Sequence, residues 1–124
     1  MAKHHSPRFL ALVEDAKKRI REISPEELKR KLETESSFHL IDVREAEEFA
    51  AGHLPRARHL CKGIIERDIE AAIPDFGTEI VLCCGGGFRS ALSADNLQRM
   101  GYTRVLSLAG GWREWTGAGF PVGK

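Results

Sequence analysis

The sequence predicts an α/β protein: a five-stranded parallel sheet with helices on both faces, preceded by an amphipathic N-terminal helix. Two observations carry this. Short strand-like runs alternate five times with helical stretches over short connections, the order expected of a parallel sheet covered on both sides. The helical stretches also carry their own start and stop signals, so the alternation does not rest on hydrophobicity alone.

The elements follow in order. Ser6 can cap a first helix, and Pro7 suits its first turn. Phe9, Leu12, Val13, Ala16 and Ile20 recur at helical spacing, with Lys17, Lys18, Arg19 and Arg21 elsewhere on the surface. Residues 1–21 are read as a helical extension packed on the domain edge, and 22–124 as the main domain. Glu22-Ile23 is a short strand. Ser24-Pro25-Glu26-Glu27 is a capping box opening a helix to about Glu33. Phe38–Asp42 is an apolar strand ending in an acid. Glu45–Ala51 is a short helix stopped by Gly52. Ala57–Leu60 is a strand, and Ile64–Ile73 a helix with Pro74 beyond it. Glu79–Cys83 is the most clearly buried strand. Ser90–Met100 is a helix ending at Gly101, Arg104–Leu108 a strand, and Trp112–Thr116 a last short helix.

A chain of 124 residues is long enough for one core without disulfides or metal. Its net charge of +1 calls for neither nucleic acid nor an anionic membrane surface. No apolar run approaches the roughly 18 residues of a membrane span. Charges from Arg8 onward break any signal-peptide core, so a cytoplasmic location is expected. The three cysteines, Cys61, Cys83 and Cys84, do not suit a disulfide framework, and no Cys-x-x-Cys pair has a histidine partner that would suggest a metal site.

The chemistry is expected in Ile80-Val81-Leu82-Cys83-Cys84-Gly85-Gly86-Gly87-Phe88-Arg89-Ser90: a buried strand, a thiol, a glycine-rich loop and an arginine at a helix start. Gly85, Gly86 and Gly87 let the amides of Gly85 to Phe88 turn inward as an anion nest. The helix dipole and Arg89 add positive potential. Together they favour a thiolate at Cys84, which then attacks without a general base. Such sheets bind ligands beyond the carboxyl ends of their strands, where Cys84 sits. Cys83 should point to the opposite face as plain core, and Cys61 reads as packing or partly exposed. Two registers stay open, since four residues separate Cys84 from Arg89 and five separate Cys83 from it. The longer one is the phosphatase loop pattern.

Other residues draw weaker readings. Asp42 could bond loop amides or pair with Arg44, and Arg44 could face the pocket rim and attract anions. Ser90 could bond the thiolate or cap the helix. His53 reads as a structural histidine, His4 and His5 as part of a disordered terminus, and Trp112 with Trp115 as a packing face.

Three blocks resemble the signatures of the rhodanese family. Leu40-Ile41-Asp42-Val43-Arg44-Glu45 through Gly52-His53-Leu54-Pro55 resembles its N-terminal signature. Cys84 to Ser90 resembles its active-site loop in the six-residue form, and Val105 to Trp112 its C-terminal signature. The likeness runs from about Ile23 to Val122 and leaves out the N-terminal helix. It implies a sulfurtransferase that carries a sulfane sulfur as a cysteine persulfide. The donor would be a small anion such as thiosulfate, and the acceptor cyanide, a cellular thiol or a protein thiol, with no cofactor. The match assigns the nucleophile role to Cys84, the anion cradle to Gly85, Gly86, Gly87, Phe88 and Arg89, and substrate contacts to Ser90 and Arg44, with Asp42 in support. Cys83 departs from the family's usual apolar or aromatic residue there. Phosphatases and arsenate reductases that share this fold remain an alternative, as does a persulfide-carrying or sulfur-sensing module that binds a partner.

Overall fold

Two serines start the first two helices. Ser6 Oγ accepts the Phe9 amide at 3.4 Å, with Pro7 in the first turn. Ser24 Oγ accepts the Glu27 amide at 3.1 Å while Glu27 Oε1 accepts the Ser24 amide at 3.0 Å, closing the capping box. The structure, a computed structural model, describes residues 5–123. His4 lies outside them. In chain order the elements are α1 (Pro7–Lys17), β1 (Arg21–Ile23), α2 (Pro25–Thr34), β2 (His39–Asp42), α3 (Ala46–Ala51), β3 (Arg58–His59), α4 (Ile65–Ala72), β4 (Ile80–Cys83), α5 (Phe88–Arg99), β5 (Val105–Leu108) and α6 (Gly111–Gly117).

The strands form one parallel sheet in the order β1-β5-β4-β2-β3, which puts β4 at its centre. Alternation along β4 divides its side chains between two cores. Ile80, Leu82 and, one residue on, Cys84 pack with Ile65 and Ile69 of α4 and with Ala94 and Leu97 of α5. Val81 and Cys83 pack with Leu28 of α2 and Trp115 of α6 on the other face. Each fully buried Ile or Leu of these cores contributes roughly 1.5–3 kcal/mol by leaving water. None of the described helices is long and apolar enough to cross a membrane.

The extension docks on the outer side of α5. Val13 and Ala16 are buried there, and Arg19 clasps Asp95 of α5 through Nε at 3.0 Å and Nη2 at 2.8 Å. The apolar stripe is narrower than its sequence spacing suggests, because Leu12 is 61% exposed. The helix also stops at Lys17, so Ile20 meets the core from the following turn. At the other end of the fold, α5 starts at Phe88, two residues before the expected Ser90. Gly87 takes φ +94° and serves as the N-cap, a conformation open to glycine at little cost.

A cross-link joins α3 to α5. Glu48 accepts Arg89 Nη1 at 2.8 Å and Nη2 at 3.1 Å, and its Oε1 also accepts the Glu45 amide at 2.8 Å. Arg89, with help from that amide, holds the Glu48 carboxyl down to about 2.

Two stability outcomes are expected. Among the described residues, Ser93 Oγ on α5 is buried with no hydrogen-bond partner. Ser93→Ala removes that orphan and improves helix propensity, so urea unfolding should show a gain of about 1 kcal/mol. The Glu48–Arg89 pair stabilises the fold fully above the ordinary carboxyl value of 4.5 and is lost as pH falls toward about 2. Stability of Glu48→Gln should therefore lie below that of the parent at neutral pH and converge with it in acid, measured as urea midpoints across that window.

Candidate active site

The loop after β4 is held open by the helix that follows β5. The Trp112 amide donates to the Cys84 carbonyl at 2.8 Å, and the Arg113 amide to the Gly85 carbonyl at 3.0 Å. These bonds draw two loop carbonyls back toward α6. The approach requires glycine at 111, since a Cβ there would collide with the Cys84 carbonyl oxygen. It also requires glycine at 87, where φ is positive and a Cβ would lie 3.1 Å from the Gly110 nitrogen.

With its carbonyls tied back, the loop turns amides toward the sulfur. Cys84 Sγ accepts the Gly87 amide at 3.1 Å and the Ser90 amide at 3.3 Å. The thiol donates to Ser90 Oγ at 3.4 Å, and Ser90 Oγ shares a 2.8 Å hydrogen bond with Ser107 Oγ. Ser90 therefore meets the sulfur, while Gly87 caps the helix. The Gly85 and Gly86 amides have no partner among the described residues, and both residues line the cavity that Cys84 closes from below. That cavity holds about 480 Å³. Two donors on the sulfur and two more beyond it suit a sulfur nucleophile and an anionic group attached to its target.

Cys83 lies in the opposite core and its thiol is pushed up, first by burial and then by the charge of Asp42. Only the shorter register thus puts a thiol in the cavity. Cys61 is half-buried outside the site and donates to Glu45 Oε2 at 3.5 Å.

The expectation for Arg44 needs correction. It is not at the pocket rim: it is 3% exposed, and its Nη2 bonds Asp42 Oδ2 at 2.8 Å and the Gly52 carbonyl at 2.7 Å. Its guanidinium lies 4.8 Å from the centre of the Trp112 ring. Asp42, fully buried, spends its oxygens on the Arg44 amide and side chain and touches no loop amide. The pair is structural, joining β2 to the turn before β3 and to α6. His53 is structural too, with Nδ1 3.0 Å from the Phe49 carbonyl and its ring stacked on Phe49. Arg89 does reach the loop: a Cβ on Gly85 would lie 2.9 Å from its Nη2. Its charge, however, is shared with Glu48.

Several lining residues escaped sequence reading. His5, expected to be disordered, packs edge-on against Phe88 at 4.9 Å, and Phe9 meets the same ring at 6.2 Å. Lys17 lies 5.4 Å from its centre. The N-terminal segment is thus one wall of the cavity. Glu48, Arg113 and Thr116 line it elsewhere, and Trp112 forms a wall while Trp115 is core. Phe9 lay on the apolar stripe and carried a packing signal. Glu48 and Arg113 carried none, because their roles depend on partners distant in sequence.

Known proteins resemble this chain in sequence and in fold. The family model for the rhodanese-like domain matches residues 24–118. A sulfurtransferase of Allochromatium vinosum is 32% identical over 83% of this chain and 94% of its own length. YtwF of Bacillus subtilis, with the provisional name of sulfurtransferase, is 38% identical over 79% of this chain and 92% of its length. YrkF of the same organism, provisionally named a sulfur carrier protein, is 35% identical, and the match spans 52% of its length. The polysulfide-sulfur transferase homodimer of Wolinella succinogenes superposes with a TM-score of 0.79 at 26% identity, over 93% of this chain and 86% of that one. A Rhodopseudomonas palustris protein of unknown function, described as a possible tyrosine phosphatase, shares the fold with a TM-score of 0.87 at 24% identity over 99% of both chains. With the family model matched over residues 24–118 and the expected five-stranded parallel sheet present, the chain belongs to the rhodanese-like domain family, whose relatives at this identity support a general sulfurtransferase role.

Proposed function

We propose that the protein moves a sulfane sulfur from an anionic donor such as thiosulfate to a thiophilic acceptor, cyanide or a thiol, through a persulfide on Cys84. The observation that carries this reading is the pair of loop amides on Cys84 Sγ at 3.1 Å and 3.3 Å, with two unpartnered amides just beyond. The Cys84 thiolate attacks the outer sulfur of thiosulfate. A new S–S bond forms, the old one breaks, and sulfite leaves with the bonding electron pair. Cyanide or a thiolate then attacks the outer persulfide sulfur and takes it, returning the electron pair to Cys84. No external oxidant, reductant or bound cofactor enters the cycle. The loop amides stabilise negative charge on sulfur in every step, and ping-pong kinetics are expected.

The phosphatase reading fares worse on two counts. Cys83, the thiol of the longer loop register, faces the other core. A phosphatase also needs an acid for its leaving group. The carboxylate lining the cavity, Glu48, is held down to about 2 by Arg89 and keeps no proton to give near neutral pH.

Intact-protein mass spectrometry after brief exposure to thiosulfate tests the proposal. The parent should gain one sulfur atom, lost on cyanide treatment. Cys84→Ala should gain none, and Cys83→Ala should keep most of the loading. A folded parent that takes no sulfur from thiosulfate or polysulfide overturns the reading, and equal loss in both variants overturns the assignment to Cys84.

A further inference from the structure

Besides Cys84, four side chains that can carry charge line the cavity: His5, Glu48, Arg89 and Arg113. Arg89 and Glu48 cancel each other through two hydrogen bonds. The fork uses two of the five N–H donors of Arg89 and offsets its charge, and an anion held by the others would lie beside the Glu48 carboxylate. His5 is packed against the Phe88 ring. Arg113 is different. Among the described residues its guanidinium has no ion pair and no hydrogen bond. It lies over the loop, where a Cβ on Gly86 would meet Nη1 at 3.4 Å and Nη2 at 3.7 Å. Its backbone is fixed to the same loop by the 3.0 Å bond to the Gly85 carbonyl. Gly85 and Gly86, whose amides have no partner among the described residues, line the same cavity as Arg113.

We propose that Arg113, rather than Arg89, receives the anionic end of the substrate, with the Gly85 and Gly86 amides completing the subsite. This deepens the sulfur-transfer reading and rests on it for the identity of the donor. For thiosulfate, the outer sulfur faces Cys84 while the sulfonate end meets Arg113. Donors that carry a sulfonate, sulfinate or terminal persulfide charge gain from this contact, and neutral sulfane donors do not. Arg113 acts as a specificity residue that binds without taking part in bond making. The contrast with Arg89 is one of charge: the Arg89 guanidinium is already offset by the Glu48 carboxylate, whereas among the described residues that of Arg113 is not.

Two electrophiles that differ in charge separate this subsite from the sulfur chemistry. Iodoacetate and iodoacetamide both form an S–C bond with the Cys84 thiolate and release iodide, but only iodoacetate is anionic. Rates at Cys84 would be read by mass spectrometry in a Cys61→Ser background, beside the rate of sulfur loading from thiosulfate. Arg113→Gln should lower the iodoacetate-to-iodoacetamide ratio and the kcat/KM for thiosulfate loading by about tenfold, the scale of one lost charged contact. Its iodoacetamide rate should stay within about twofold, which also shows the loop intact. Glu48→Gln, which frees Arg89, should raise the ratio. An unchanged ratio in Arg113→Gln with iodoacetamide reactivity preserved overturns the subsite. A lowered ratio in a protein that never loads sulfur upholds the subsite and rejects the sulfur chemistry.

Discussion

Everything chemical in this molecule depends on the backbone of α6 taking hold of the backbone of the loop. Two amide-to-carbonyl bonds, from Trp112 to Cys84 and from Arg113 to Gly85, fix which way the loop's peptide planes face. They set the Cys84–Gly85 and Gly85–Gly86 peptide planes, and the amides of Gly87 and Ser90, further along the loop, converge on Cys84 Sγ. Gly111 permits the contact because any Cβ would strike the Cys84 carbonyl. The sheet contributes the other half of the arrangement. Central β4 delivers Cys84 at its carboxyl end, and Val43, just past the end of β2, donates to the Cys83 carbonyl at 2.9 Å to hold the last strand residue in register. A nest of amides is thereby preorganised before any substrate arrives, which is where such sites draw most of their effect.

The arginines near this edge of the sheet are sorted by partner. Arg44 and Asp42 are both buried, and a pair of that kind is costly unless its hydrogen bonds are complete. Here Asp42 accepts from the Arg44 amide, Nε and Nη2, and Arg44 Nη2 also reaches the Gly52 carbonyl. Arg89 and Glu48 are half-exposed and form a fork. Arg113 remains without a carboxylate among the described residues. The sign of the cavity is therefore decided by which charges are already neutralised, and a count of basic residues around the loop would overstate its field.

The same sorting explains what the sequence could reveal. The capping box at Ser24, the strand leading into Cys84 and the opposite facing of Cys83 and Cys84 follow from neighbours a few residues apart, and periodicity reports those directly. Glu48 lies 41 residues from Arg89, and nothing local to either marks the pair. The sequence left Arg44 open between a pairing with Asp42 and a place at the rim, because its burial depends on Gly52 and Trp112, which only the folded chain brings to it. His5 looked disordered because a short segment at a chain end normally lacks contacts. It is placed by Phe88, a residue just past the glycines of the Cys84 loop.

That last contact changes how the extension should be regarded. α1 is anchored far from the sulfur, by Val13, Ala16 and the Arg19–Asp95 fork on the outer face of α5. Its first turn nevertheless carries Phe9 onto Phe88, at the start of the same helix whose N-terminal amides hold Cys84. Phe9 and Phe88 line the cavity together with Arg113 and the loop glycines Gly85 and Gly86. The cavity holds about 480 Å³, and the Phe9 and Phe88 rings stand in its wall. The docking of α1 and the shape of the site are thus one problem in packing: whatever shifts α5 along the sheet shifts both the wall and the amides that face Cys84 Sγ.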